Sequence, residues 1–247
     1  MDIQRYSLEE TKRLWQRYTT HTKEFFEKHH ADMTVSNHAR HTLDPQYQEY
    51  ILGPIKDDPE RWRGKTALDF GCGCGRNIKN LLEAGPFSRV DGCDISRANA
   101  EYSKRHVLET FDKSRCNTWE SDGFGISPAP DNAYDFVMSH LVFQHIGNYS
   151  IRYHILKDIY RGLKPNGLVS LHFLDMVERK GEEYYAHYPP PASALCDSTR
   201  WSLRNCRVIN KDYLIKDFEE IGFKDVECHE GVCSVGKQKS YYVWGTK

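Results

Sequence analysis

The chain has no excess charge of either sign. Its 34 Lys and Arg face 35 Asp and Glu, a net charge of -1 over 247 residues, so nothing in the sequence pulls it over long range toward nucleic acid or an anionic membrane. No apolar run approaches membrane-spanning length. The opening Met1-Asp2-Ile3-Gln4-Arg5-Tyr6 lacks the charged-then-apolar order of a signal peptide. The eight cysteines are scattered and form no C-x-x-C pair. Cys72 and Cys74 sit within a glycine turn that a disulfide would distort, so the expected setting is the reducing cytoplasm. His29-His30 and His38 with His41 fall in a polar, irregular stretch without metal-ligand spacing, and no metal is expected. Repeats are absent, and low complexity is confined to Pro189-Pro190-Pro191. What remains is a chain long enough for one domain with a substantial core and a small cap, expected as a monomer or homodimer with neither a nucleic-acid nor a membrane partner.

What the chain does have is concentrated in Ala67-Leu68-Asp69-Phe70-Gly71-Cys72-Gly73-Cys74-Gly75-Arg76-Asn77. An apolar pair leads into an acid, and glycines follow at alternate positions. The segment reads as a buried strand, a tight turn and the start of a helix, with the turn at the carboxyl end of the strand where open α/β sheets place ligands. A dinucleotide fingerprint needs its third glycine at position 76, which is Arg. Asp69, two residues before the first glycine, suits a ligand bearing positive charge, such as an ammonium and a sulfonium.

From residue 65 onward apolar strands alternate with amphipathic helices: strands at Thr66–Phe70, Arg89–Cys93, Asn117–Glu120, Tyr134–Ser139 and Leu168–Phe173, with helices following the first, second and fourth. The alternation predicts an α/β fold, a doubly wound, mostly parallel seven-stranded sheet, completed by a helix with Tyr213, Leu214, Phe218 and Ile221 and an antiparallel hairpin of Val226–His229 and Tyr241–Trp244. Ahead of the core, Ser7-x-x-Glu10 is a capping box, and Trp15, Tyr18, Thr22, Phe25 and Phe26 recur at helical spacing, predicting a helix over about 7 to 30. A short helix is expected near Gln46–Ile51. The organisation read from these patterns is an N-terminal helical cap or lid at 1–64, a core at 65–173, an insertion after strand five at 174–207, and a C-terminal helix and hairpin at 208–247.

Acids or polar groups end each successive strand: Asp94 after the second, Ser121-Asp122-Gly123 after the third, Ser139-His140-Leu141 after the fourth. A carboxylate at Asp94 can accept from two ribose hydroxyls, and one at Asp122 from an exocyclic amine. Either acid alone equally suits a helix cap. Taken together, Asp69-Phe70-Gly71-Cys72-Gly73-Cys74-Gly75, Asp94, Asp122, Tyr134-Asp135-Phe136-Val137-Met138-Ser139, Val142-Phe143-Gln144-His145-Ile146, Leu163-Lys164-Pro165-Asn166-Gly167 and Ile221-Gly222-Phe223 resemble the Rossmann-like, class I S-adenosylmethionine-dependent methyltransferases of the small-molecule type. The likeness covers 65–173 well and 208–247 loosely. Asn166 stands where the family usually has a second glycine; asparagine tolerates the left-handed backbone, so the turn survives.

The resemblance implies S-adenosyl-L-methionine as cofactor and S-adenosyl-L-homocysteine as product. Asp69, Gly71, Cys72, Gly73, Gly75 and Asn77 would hold its methionine end, Asp94 and Ile95 the ribose, and Asp122 and Gly123 the adenine, with Ser139 and His140 also among the cofactor-binding residues. Transfer is an in-line displacement to an oxygen or nitrogen of a small molecule. A hydroxyl acceptor gains from a general base; His140, at the mouth of strand four, is the first candidate. His145 is the second, expected to turn away from the crevice on a helix. Tyr18, Tyr184, Tyr185 and Trp201 would wall the acceptor pocket. Enzymes that methylate DNA base amines carry a Pro-Pro-aromatic turn where this chain has Ser139-His140-Leu141-Val142. A protein or peptide acceptor, and a non-catalytic adenosyl-ligand binder on the same fold, remain as alternatives.

Overall fold

The computed structural model describes residues 8, 9, 12, 13, 16, 46–84, 86–146, 149–174, 211–233 and 238–247. A seven-stranded sheet organises them, in the order β3-β2-β1-β4-β5-β7-β6. Its strands are β1 (Thr66–Phe70), β2 (Arg89–Asp94), β3 (Thr118–Glu120), β4 (Tyr134–Ser139), β5 (Leu163–Leu174), β6 (Lys224–Cys233) and β7 (Gln238–Thr246). The first five run parallel. β7 lies antiparallel between β5 and β6. The helices are α1 (Gly53–Lys56), α2 (Arg76–Ala84), α3 (Arg97–Leu108), α4 (Tyr149–Gly162) and α5 (Lys211–Ile221), with a π-helical turn at Tyr47–Ile51. The doubly wound sheet, its C-terminal hairpin and the short helix before β1 are as the sequence predicts. Among the described residues no helix is long and apolar enough to cross a membrane.

The apolar runs in the strands are explained by two cores, one on each face of the sheet. Neighbouring residues divide between them: Leu68 and Val137 pack with Ile155 and Ile159 of α4 and Leu214 and Phe218 of α5. Ala67, Phe136 and Met138 pack with Ile78 and Leu81 of α2, Val107 of α3 and the segment Tyr47–Ile55. That segment is laid across the sheet by bonds to its backbone, since Tyr50 O accepts from Trp244 Nε1 at 2.6 Å and from Ser170 Oγ at 3.1 Å. Its arrival there positions Tyr47 at the carboxyl ends of the strands.

β5 begins earlier than expected, at Leu163, and the register slips between Tyr134 and Phe136 so that Pro165-Asn166-Gly167 is looped out. Asn166 takes φ +64°, and the loop is tied to the C-terminal Lys247 by two backbone bonds of 2.9 and 3.0 Å. Of the predicted 7–30 helix, residues 8, 9, 12, 13 and 16 are helical; the rest of it, the tip of the β6–β7 hairpin and the insertion beyond Leu174 lie outside the described residues.

Gly92 in β2 lets the helix and the glycine turn approach the sheet. A Cβ on it would stand 2.6 Å from Ile78 Cδ1 and 2.8 Å from Cys72 Cβ. Both neighbours are buried, so the Ile78 side chain and the turn at Cys72 would have to shift. Gly92→Ala is therefore expected to destabilise the protein by about 1–3 kcal/mol, the usual cost of overpacking a core. Thermal unfolding followed by circular dichroism measures this; an unchanged midpoint would mean the α2 interface is looser than its contacts show.

Candidate functional site

The carboxyl ends of β1, β2, β3 and β4 open onto one cleft. Its floor is the turn after β1. Gly71, Gly73 and Gly75 all adopt positive φ, +74°, +51° and +84°, but they serve different ends. At Gly71 a Cβ would collide with Val142, and at Gly75 with Ser103 Oγ at 2.5 Å and Val107 of α3. These two glycines allow close packing. At Gly73 a Cβ would meet nothing within 4 Å, and Gly73 lines the cleft. There the backbone is bared to open space, which is what an approaching ligand requires.

The turn is held open by its neighbours. Gly71 N and Cys72 N both donate to Cys93 O, at 2.8 and 3.0 Å. Gly73 N donates to Asp94 Oδ2 at 3.0 Å, while Asp94 Oδ1 accepts from Ser96 N at 2.9 Å and Asn99 Nδ2 at 3.1 Å. Burial raises the Asp94 carboxyl above its ordinary value, and these donors pull it back. Asp94 therefore does two things: it braces the turn and the start of α3, and it lines the cleft. With about four acceptor positions on a carboxylate, the bracing does not exhaust it. Ser139 Oγ, donating to Phe70 O at 2.8 Å, ties the end of β4 to that of β1.

Asp69 differs from Asp94. It is fully buried, and among the described residues neither of its oxygens has a hydrogen bond. Burial pushes its carboxyl up to about 7, against the pull of nearby Arg76 and Asn77. Asn77 Oδ1 accepts from Tyr47 Oη at 3.1 Å, which leaves its Nδ2 turned to the Asp69 side. Arg76 Nε is likewise buried without a partner. An unpaired acid and an unpaired cation edge, side by side at the foot of a bare glycine turn, fit a ligand that brings both an ammonium and a carboxylate.

Of the residues singled out from sequence, Gly71, Gly73, Asp94, Ile95, Gly123, His140 and His145 line the cleft. Asp69, Cys72, Gly75, Asn77 and Ser139 stand behind that lining. Cys72 packs in the core on Gly92. Asp122 is exposed, with Oδ1 accepting from Phe124 N at 2.8 Å, and its neighbours Ser121 and Gly123 form the wall instead. Tyr18, Tyr184, Tyr185 and Trp201 lie outside the described residues.

His145 does not turn away as expected. It closes a single 3-10 turn, Phe143–His145, in which Phe143 and Gln144 are buried and His145 faces the cleft. His140 is buried at the mouth, its ring 4.9 Å from Tyr47 and 5.0 Å from His172. Leu141 follows at φ +63°, an unusual conformation for leucine, and its N–H donates to His172 Nδ1 at 3.3 Å. His172 Nε2 lies 3.1 Å from Ser240 Oγ. Burial drives the His172 imidazole down to about 3, so this ring stays neutral and structural. Leu8, Asn99, Val142, Ile146, Ile151 and Ile155 also line the cleft; isolated aliphatic residues carry no signal in sequence that would have marked them.

Residues 68–171 match the family model described as a methyltransferase domain. The mouse tRNA N(3)-cytidine methyltransferase METTL8 (Mus musculus) is 31% identical over 132 residues, 50% of this chain and 44% of that protein. The human METTL6 tRNA N(3)-cytidine methyltransferase (Homo sapiens) is 33% identical over 104 residues, 40% and 35% of the two chains. The chain thus spans less than half the length of either relative. Among solved structures, the Haemonchus contortus phosphoethanolamine N-methyltransferase 2 in complex with phosphomonomethylethanolamine and S-adenosylhomocysteine superposes with a TM-score of 0.59 at 16% identity, over 81% of this chain and 56% of that one; it shares the fold. The family match marks residues 68–171 as a methyltransferase domain, and the sheet order and glycine turn agree with a class I, Rossmann-like S-adenosylmethionine-dependent methyltransferase fold there. Its family's cofactor is S-adenosylmethionine.

The raised Asp69 carboxyl has a measurable consequence. A cationic ligand beside it favours the ionised form, so below pH 7 binding must expel the proton that free Asp69 carries. Affinity for S-adenosylhomocysteine is expected to fall about tenfold per pH unit between pH 7 and 5.5, with close to one proton released in calorimetry at pH 6. In Asp69→Asn that release disappears and affinity drops. The same substitution should raise the ligand-free unfolding temperature at pH 8 but not at pH 4. An acid whose folded value lies above its unfolded one destabilises the fold once pH exceeds the unfolded value, and fully so above the folded one. A proton release unaltered in Asp69→Asn would assign it to another group.

Proposed function

We propose that the protein transfers the methyl group of S-adenosylmethionine to a nitrogen or oxygen of a small molecule. The observation that carries the reading is Asp69, a buried acid without a hydrogen bond among the described residues, set beneath a glycine whose missing side chain leaves the cleft open. The residues present fit the cofactor. Asp69 would take its ammonium and Arg76 its carboxylate. Asp94 would accept from the ribose hydroxyls, and Ile95 and Gly123 would flank the base. When bound, the sulfonium supplies an activated methyl carbon.

The rest of the chemistry belongs to the chain. The turn, braced by Asp94 and Cys93, holds the donor rigidly, so alignment costs no further ordering when the acceptor arrives. Tyr47 and the neutral His172 pack against the His140 ring and fix it at the mouth. There it can take the proton of a hydroxyl or ammonium acceptor. The apolar wall from Phe70, Val142 and Ile146 keeps water from competing.

The near-neutral charge of the chain favours a small acceptor over a polyanion. The likeness to the tRNA N(3)-cytidine methyltransferases METTL8 and METTL6 favours a second reading, in which the acceptor is a tRNA base; a peptide is the third. A cytoplasmic setting belongs to the same proposal, and it suits the buried thiols of Cys72 and Cys93.

Calorimetry with S-adenosylhomocysteine tests the cofactor, and absence of heat would defeat the reading. Transfer of a radiolabelled methyl group to pools of small amines and phenols, to unfractionated tRNA and to a peptide library then separates the acceptor classes; label in tRNA alone would replace the small molecule with a base. With the acceptor in hand, His140→Ala is expected to slow turnover by about 10²–10⁴ and to change S-adenosylhomocysteine affinity by less than about threefold. An unaltered rate at saturating acceptor would remove His140 from the mechanism.

A further inference from the structure

Asn77, in the first turn of α2, is buried, and its amide has two unlike ends. Oδ1 only accepts and Nδ2 only donates, so the partner that holds one end decides what the other end offers. That partner is Tyr47, also buried, whose Oη donates to Asn77 Oδ1 at 3.1 Å. Burial raises the phenol above its ordinary value, so it keeps its proton and stays a donor. With Oδ1 taken, Nδ2 is left to Asp69. It stands close enough to draw that carboxyl down, though short of a hydrogen bond. Tyr47 is itself held in place by the C-terminal hairpin. Gln46 Oε1 accepts from Val232 N of β6 at 3.2 Å, and Tyr50 O accepts from Trp244 Nε1 of β7 at 2.6 Å. Contacts on both sides of Tyr47 in the chain thus fix where its hydroxyl stands.

We infer that Tyr47 is a positioning residue for the ammonium of the cofactor: its hydroxyl locks the Asn77 amide so that a donor, and not the carbonyl, faces Asp69. The inference rests on the cofactor reading above. A donor turned to Asp69 favours the carboxylate, which is the form a cation needs. Released from Tyr47, the amide is free to turn over and present Oδ1, which accepts from a protonated acid and repels an ionised one. The other groups around Asp69 are fixed in character. Arg76 is a permanent cation. Burial keeps the Cys72 and Cys74 thiols of the turn and the Cys93 thiol of β2 protonated. Asp94, at the end of β2, is already paired with its three donors, and β4 opposes Asp69 with Met138. The Tyr47 ring lies 4.9 Å from His140, so one side chain touches both the histidine at the mouth and the amide beside the acid. A phenylalanine there would keep the first contact and lose the second.

The test is the carbon-13 NMR titration of the Asp69 carboxyl in the ligand-free full chain, paired with calorimetry of S-adenosylhomocysteine binding from about pH 5.5 to 9. Both are run on the wild type, Tyr47→Phe, Asn77→Ala and the double variant, and Asp69→Asn assigns the carboxyl signal. In Tyr47→Phe the Asp69 midpoint is expected about one pH unit above that of the wild type, as one lost buried hydrogen bond allows. S-adenosylhomocysteine should then bind about tenfold more weakly at pH 6 and within about twofold of the wild type at pH 9. Asn77→Ala, which removes the donor outright, should also raise the midpoint. Adding Tyr47→Phe to Asn77→Ala should move the midpoint no further, because the hydroxyl acts through the amide. A merely structural role for Tyr47 would weaken binding by one factor at every pH and leave the midpoint in place. That result, or an equal rise of the midpoint on adding Tyr47→Phe to Asn77→Ala, would overturn the inference while the cofactor reading stood. Failure of the wild type to bind S-adenosylhomocysteine at all would overturn the cofactor reading, and the carboxyl titration would still decide whether Tyr47 locks the amide.

Discussion

A carboxylate in a dry interior is among the costliest groups a fold can carry. Asp69 occupies such a place at the end of the central strand β1, between β2 and β4, with no hydrogen bond among the described residues. A protein selected for stability alone would put an asparagine or an apolar residue there. The surrounding structure makes sense as a means of tolerating this one charge until a counter-charge arrives. Arg76 and Asn77, at the start of α2, lower the cost without cancelling it. The turn between them and Asp69 is made of glycines, so the counter-charge can come close.

Comparing Asp69 with Asp94 shows how two acids in one cleft are given different work. Both are buried. Asp94 receives three donors, two of them backbone N–H groups that exist only because the turn and the start of α3 are folded. Its charge is therefore paired before any ligand binds, and it rigidifies the floor of the cleft. Asp69 stays unpaired, and its response to a cation is correspondingly large. A rigid frame around an unsatisfied group is what preorganisation requires: the ordering is done during folding, and the ligand supplies the missing charge.

Most of the frame was legible because it rests on local rules. The period of the apolar residues, the acid before the turn and the spacing of the strand ends all act within a few residues of one another, and each left a pattern. Asn166 could be assigned to a left-handed turn from its chemistry alone, and it occupies one. The walls were less legible because they are made by residues distant in the chain. Leu8 reaches Gly123, Tyr47 reaches His140 and His172 reaches Leu141 only after the sheet has formed. A histidine five positions past His140 looked turned away under the geometry of an α-helix; the segment is instead a single tighter turn at Phe143–His145, and His145 lines the cleft. Asp122 illustrates the converse, since its strand end was located correctly while its carboxylate went to a local turn with Phe124, the commonest use of aspartate outside regular structure.

The mouth of the cleft follows from the left-handed Leu141. Its N–H points at His172 Nδ1, which can accept only if that nitrogen is unprotonated. The proton of the neutral ring must then sit on Nε2, facing Ser240 Oγ. Burial makes a second proton prohibitive. His172 is thus locked as one neutral tautomer, and the His140 ring beside it has no positive neighbour on that side. Had His172 been charged, a sulfonium at the mouth and any cationic acceptor would both be repelled, and His140 would resist taking up a proton. The left-handed turn after β4 has a physical rationale in this light: it trades an unfavourable leucine conformation for a mouth in which the ring beside His140 stays neutral.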